Sequence, residues 1–204
     1  MGRLQTFDDT VVVRAARDIF WDKGFDATSL PDLEAATGLG RSSLYHAFGS
    51  KRGLFDAAVS DYLEAVIQPR LATLRSSDTD AASLIDYFDR FARSTAELAD
   101  DSPTSGCLLV NCAAGLAAHD DPSRAIVEGY RVELADALRQ ALTSASARAG
   151  DAPIPADELD TRVRTLASLS LSAMLMARVN RNEAIALLNT ASTLVRGWFR
   201  HADR

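Results

Sequence analysis

The chain of 204 residues carries 22 Lys+Arg against 28 Asp+Glu, a net charge of −6, with 47% apolar and 25% charged residues. These proportions are those of a globular protein and exclude a wholly disordered chain, a collagen and a dense disulfide scaffold. The length holds one large domain or a small module joined to a larger one, with chain enough to bury a core.

Apolar residues recur at helical spacing almost throughout, and no run of alternating β-branched residues bounded by tight-turn pairs is present. Val12, Ala15, Ala16, Ile19 and Phe20 make one face of a first helix, which Gly24 is expected to end. Thr28 or Ser29 can cap a second helix, with Pro31 in its first turn and Leu33 and Ala36 facing inward. Gly38 breaks it, and a very short helix follows over 41–48. Ser50 caps a longer one carrying Leu54, Phe55, Ala58, Tyr62, Leu63 and Val66, which Pro69 is expected to kink or terminate.

Residues 81–98 are amphipathic, with Leu84, Phe88 and Phe91 on one face, and a turn-rich break from Asp100 to Gly106 separates them from a short apolar helix over 107–118. Asp121-Pro122 reads as a cap followed by proline at the first helical position. It opens a long helix with Ile126, Tyr130, Leu134, Leu138 and Ala141 inward; 150–155 is a loop. Residues 157–179 are apolar on more than one face, which predicts burial on several sides. Asn180 and Glu183 resemble a capping box for a last helix with a broad apolar stripe from Ala184 to Trp198. These last two helices are the candidates for pairing with a second copy of the chain.

Cys107 and Cys112 are too few for a disulfide framework, and five residues apart on a helix they point roughly 140° away from each other. Reduced thiols, an N-terminus without an apolar signal-type run, and no stretch near the roughly 20 apolar residues of a membrane span predict a cytoplasmic protein. No metal or cofactor is expected: His46, His119 and His201 lie far apart, and no Gly-rich phosphate loop is present. Cys107, His119 and Asp120 supply the residue types of a nucleophile, a base and an orienting acid, but nothing in their spacing fixes a catalytic geometry, so no enzyme is expected.

The informative stretch runs from Phe25 to Phe55. Helix, glycine turn and short helix is the helix-turn-helix plan, whose second helix enters the DNA major groove. Leu33, Leu39 and Leu44 would pin the two helices. Arg41, Ser42, Ser43, Tyr45 and His46 are left to face outward, and Lys51 follows the Ser50 cap at a helix start that offers free N–H groups to phosphate. Residues 1–56 balance seven basic against eight acidic side chains, so most of the net negative charge lies in 57–204.

The run Phe20-Trp21-Asp22-Lys23-Gly24-Phe25-Asp26-Ala27-Thr28-Ser29-Leu30, continued by Ala36 to Phe55 without a gap, resembles the signature of TetR-family transcriptional regulators. The resemblance covers about a quarter of the chain. It implies an all-α protein of about nine helices, with a helix-turn-helix domain over 1–56 and an effector-binding and dimerisation domain over 57–204. It implies a homodimer on a double-stranded operator, released by a small effector. By family position, Thr28, Tyr45, His46 and Lys51 are the phosphate contacts, and Arg41 and Ser43 the better candidates for bases; Ser29 and Ser42 complete the DNA-facing set. Arg52 stands where the family often has Glu, and is expected to add positive charge near DNA.

The second half is less legible. Gly106-Cys107-Leu108-Leu109-Val110-Asn111 resembles a motif of one TetR-like group in which the matching cysteine senses electrophiles or oxidants. At a helix N-terminus a thiol pKa would fall; the alternative is a buried core cysteine. A cavity between the fifth to eighth helices would be lined by Phe88, Phe91, Cys107, Val110, Asn111, Tyr130 and Met174, which suits a small hydrophobic effector. A helical ligand-binding dimer without DNA binding is the remaining reading.

Overall fold

The computed structural model describes residues 7–99, 102–113 and 115–199, and among these all regular structure is helical. Residues 1–6, Asp100-Asp101 within the expected break, and His201 lie outside the described residues. Helix α1 (Asp9–Ala27) is capped by Asp8, whose carboxylate accepts the Thr10 N–H at 2.9 Å. It kinks at Gly24 rather than ending there, and a last turn continues to Ala27. Helices α2 (Leu30–Thr37) and α3 (Arg41–Phe48) follow.

Helix α4 runs from Lys51–Tyr62 through a π-helical turn at Leu63–Ile67 into Gln68–Leu74. Of the two outcomes expected at Pro69, the helix does not stop; it is deformed just before the proline. The widened turn shifts the ladder just before the proline, which has no N–H to give and whose ring needs room against the preceding turn.

Helix α5 (Ala81–Glu97) is capped by Asp80, and α6 (Leu108–Ala113) is shorter than expected, with a separate 3₁₀ turn at Leu116–Ala118. Helix α7 (Asp121–Ala149) is capped by Asp120, one residue earlier than the Asp121 expected, with Ser123 N donating to its carboxylate at 2.8 Å. Helices α8 (Ala156–Met176) and α9 (Arg181–Trp198) complete the fold, Asn180 accepting the Glu183 N–H at 3.1 Å as the cap of α9.

With the segments of α4 counted as one, nine helices are described. One apolar core runs through them. In the N-terminal part Phe20, Leu33, Leu44, Leu54 and Phe55 meet; in the larger part Leu84, Phe88, Leu134, Leu138, Leu166 and Leu188 do. The two are continuous at Trp21 and Tyr62, whose rings meet edge-on at 4.8 Å. Helix α9 packs chiefly against α5 and α8, and α7 lies against α4, α5 and α8. Ile126, expected inward, is only partly covered, and Leu175 at the end of α8 is 47% exposed. No described helix is long and apolar enough to cross a membrane.

Candidate DNA-binding face and effector cavity

Two acidic side chains build the helix-turn-helix. Ser29 caps α2 by accepting the Asp32 N–H, while Asp32 accepts the Ser29 N–H at 2.8 Å, a reciprocal capping box. Lys23 reaches the same carboxylate at 2.6 Å and clasps the end of α1 to the start of α2. Lys23, then Ser29, hold the Asp32 carboxyl well below the usual carboxylate range. At the turn, Gly38 takes a φ of 70°, a left-handed conformation that costs any other residue more, and its N–H closes onto the Glu34 carbonyl at 3.0 Å. Gly40 has no side chain to cap α3, and the Glu34 carboxylate does so instead, accepting the Arg41 N–H.

Leu44 is buried beneath α3 and Leu39 partly so, as pins should be. Arg41, Ser42 and His46 are exposed, and Ser43 and Tyr45 half-exposed. The Arg41 guanidinium sits 5.3 Å from the Tyr45 ring centre. At the start of α4 the Ser50 hydroxyl accepts the Gly53 N–H at 3.0 Å, and the Lys51 ammonium lies 4.5 Å from the centre of the Phe25 ring. This contact orients Lys51 at the helix start.

Three expectations change here. Thr28 is 1% exposed, and its hydroxyl donates to the Gly24 carbonyl at 2.6 Å. It closes the kink of α1, and its hydroxyl is engaged within the chain. Ser29 is exposed, but its hydroxyl is engaged with Asp32. Arg52 is not a free cation beside DNA: it is held by Asp56 and by Asp120, both at 2.7 Å, and the second bond ties α4 to the cap of α7.

Further ties join the N-terminal helices to the rest. Arg178 donates to the Trp21 and Asp22 carbonyls at 2.7 and 2.5 Å, and the Trp21 indole N–H donates to Ser105 at 3.2 Å.

A cavity of about 510 Å³ opens between α4 and α5, lined by Pro69, Arg70, Thr73, Ser83, Asp86, Tyr87, Arg90, Phe91 and Ser94. A smaller, more enclosed one of about 110 Å³ lies deeper, sharing Arg70, Phe91 and Ser94 and reaching Trp21, Gly106 and Met174. Of the effector residues expected from sequence, Phe91 lines both and Met174 the inner one. Phe88, Cys107 and Tyr130 line neither; they are buried in the core, where Tyr130 Oη donates to Met174 Sδ at 3.4 Å. Val110 packs partly buried against that core. The Asn111 amide, oriented by its hydrogen-bond network, accepts from Arg178 at 2.8 Å and is a structural link.

Of the two readings of Cys107, the structure favours the buried core cysteine. Cys107 does precede the first turn of α6, but it is fully buried, and desolvation pushes its pKa up. Removing a thiolate from water costs more than a half-free helix end returns. Burial likewise pushes the Cys112 thiol up to about 11. Native protein is therefore expected to react with a thiol-specific reagent at neutral pH at least tenfold more slowly than urea-unfolded protein at both positions, as followed by mass.

Sequence comparisons place this architecture among known proteins. Residues 12–58 match the model of the bacterial regulatory proteins of the tetR family. An HTH-type transcriptional regulator of Bacillus subtilis, YezE, is 31% identical over 145 residues, which are 71% of this chain and 73% of that protein. The chain belongs to the TetR family of DNA-binding transcriptional regulators. The Escherichia coli transcriptional repressor ComR is 35% identical over 111 residues, 54% of this chain and 51% of ComR. A cysteine mutant of the TetR family regulator CifR, complexed with 26-bp double-strand operator DNA, superposes with a TM-score of 0.78 at 25% identity, covering 96% of this chain and 100% of that one.

Sequence reasoning missed three residues of this TetR-family chain: Glu34 as the cap of α3, Arg178 as the clasp on α1, and Arg70 at both cavities. Only Arg70 had a usable signal. It lies three residues after Ile67 and four before Leu74, and so shares a helix face with two buried apolar side chains.

Proposed function

We propose that this TetR-family regulator is a homodimeric repressor, working in the cytoplasm, that leaves its operator when a small, largely apolar effector enters the cavity between α4 and α5. The observation that carries the reading is the outer face of α3: Leu44 is buried behind it, while Arg41, Ser42 and His46 are exposed with Ser43 and Tyr45 beside them. Guanidinium, hydroxyl and imidazole groups on a short helix are the donors and acceptors that base edges and phosphates need. In this reading residues 1–56 are the DNA-binding head and 57–204 the effector-binding and dimerisation part. Arg41 and Ser43 meet bases. Ser42, Tyr45, His46 and Lys51 meet phosphates, and the α2 start at Ser29 lies against the backbone.

Helix α4 couples the two ends. It carries Lys51 at the DNA face and Arg70 at the cavity on one continuous rod, so a shift at one end moves the other. The Arg52–Asp120 and Arg178–Trp21 bonds hold the head to the larger part in one arrangement. Homodimerisation through α8 and α9 agrees with the exposure of Leu175 and Val179 near the end of α8, apolar surface that a second copy would cover. Two α3 helices about 34–36 Å apart would then read successive major grooves. Repression is supported by ComR, which is named a transcriptional repressor.

Selection of genomic fragments with the purified protein, followed by fluorescence anisotropy on the best site, tests this. A pseudo-palindromic site bound at least 1,000-fold tighter than random DNA is expected. Lys51→Ala should weaken binding on all sequences and reduce the slope of log K against log salt by about 1, as the loss of one phosphate contact does. Arg41→Ala should relax sequence preference instead. Absence of any preferred site at low salt would favour a ligand-binding dimer without DNA binding.

A further inference from the structure

We propose that the α4–α5 cavity selects a small amphiphilic carboxylate, its apolar body against Tyr87 and Phe91 and its carboxylate on Arg70. The proposal rests on the effector reading above and narrows it to a charge class.

Arg70 is a cation with no acidic partner among the described residues. Arg70 lines both the 510 Å³ outer cavity and the 110 Å³ inner one. Its Nη1 is buried and has no hydrogen-bond partner, and among the described residues no carboxylate forms an ion pair with the guanidinium. What it does touch is an aromatic face, the Phe91 ring with its centre 5.1 Å away. Arg70 as a whole is half-exposed, but a buried donor atom is ordinarily hydrogen-bonded, because an unpaired one loses its hydration with nothing in return. The Tyr62 hydroxyl, within electrostatic reach of Arg70, is buried against the Cys107 thiol and is not available to a ligand. The guanidinium fork is a pure donor whose Nη1 lacks an acceptor.

The cavity does contain one carboxylate, but it is already engaged. Asp86 pairs with Arg90 at 2.5 Å and lies 3.5 Å from Arg93. The lining therefore keeps an excess of positive charge on otherwise largely apolar walls. That combination fits a ligand with one negative charge and a hydrophobic body. A planar carboxylate matches the guanidinium fork. A phosphate would bring a second charge to be desolvated against the same single cation.

The test uses the full-length protein, calorimetry and thermal melts, with phenylacetate, 4-phenylbutyrate and octanoate, their primary amides, and inorganic phosphate. The acids are expected to bind wild-type protein roughly 10- to 100-fold tighter than the matching amides, the ratio that a charge-assisted hydrogen bond supplies. In Arg70→Met that preference should vanish, while the melting temperature of the free protein does not fall, since among the described residues the guanidinium has no acidic partner to lose. Arg70→Lys should retain part of the preference.

Equal binding of acids and amides to wild type, an undiminished acid preference in Arg70→Met, no binding by any of the acids at millimolar concentration, or phosphate binding as tightly as the acids would each overturn the proposal. Operator affinity, measured in parallel, separates this idea from its parent. Release by the neutral amides as potently as by the acids leaves the effector reading standing and removes the carboxylate. Acids that bind through Arg70 without changing operator affinity do the reverse.

Discussion

Phe20→Ala is expected to lower the stability of the protein by about 3–5 kcal/mol, the cost of emptying a large aromatic site that cannot collapse. Phe20 is fully buried, and its ring meets Phe55 edge-on at 5.1 Å and stacks on Phe25 at 6.2 Å; Phe25 and Phe55 close the triangle at 5.0 Å. The three rings come from α1 and α4 and hold the helices that carry α2 and α3. The loss also reaches the DNA face, because the Lys51 ammonium rests on Phe25. Urea unfolding should show the drop in midpoint. Anisotropy on a preferred operator should show at least a tenfold loss even below the unfolding transition. An unchanged midpoint would mean that the triangle contributes no packing energy.

Gly106→Ala has the second largest expected effect, about 2–4 kcal/mol. Gly106 has a φ of 77°, which strains any residue with a Cβ, and that Cβ would stand 2.6 Å from the Met174 carbonyl oxygen. Because the obstacle is the backbone of α8, no side chain can rotate away to relieve it. The loop must retreat, and it carries the Ser105 carbonyl that receives the Trp21 indole N–H. A fall in melting temperature of roughly 5–15 °C should result. Gly115→Ala is the control: its φ is −96° and its nearest neighbour would be Asp26 Oδ2 at 3.6 Å, so it should change little.

Local features were legible wherever the cause is local. The Asn180–Glu183 cap, Ser29 as one of two candidate caps, the glycine turn at Gly38 and the burial of Leu33 and Leu44 depend on neighbours within about four residues, and the spacing reveals them. The outward set on α3 could be read for the same reason: on a helix of eight residues, fixing Leu44 inward fixes the other side chains by geometry. The burial of Thr28 was not legible, because the bond of its hydroxyl to the Gly24 carbonyl depends on the kink in α1. Pro69 signalled a disturbed helix, but a π turn leaves no mark in composition, so its form was not legible.

The sequence by itself determined the helical class, the helix-turn-helix and its exposed polar face, and the resemblance to TetR-family regulators over the first quarter of the chain. Only the tertiary structure decided which charges are paired, which thiols are in reach of water and where space remains. Arg52 is neutralised by Asp120, 68 residues away, and Arg178 reaches back 157 residues to Trp21. Burial by helices distant in the chain decides between the two readings of Cys107 in favour of a core thiol, and among the described residues no carboxylate pairs with Arg70. Pairing, desolvation and cavity shape depend on through-space distances between segments far apart in sequence. Helical periodicity depends only on neighbours, and so it is visible before the chain folds.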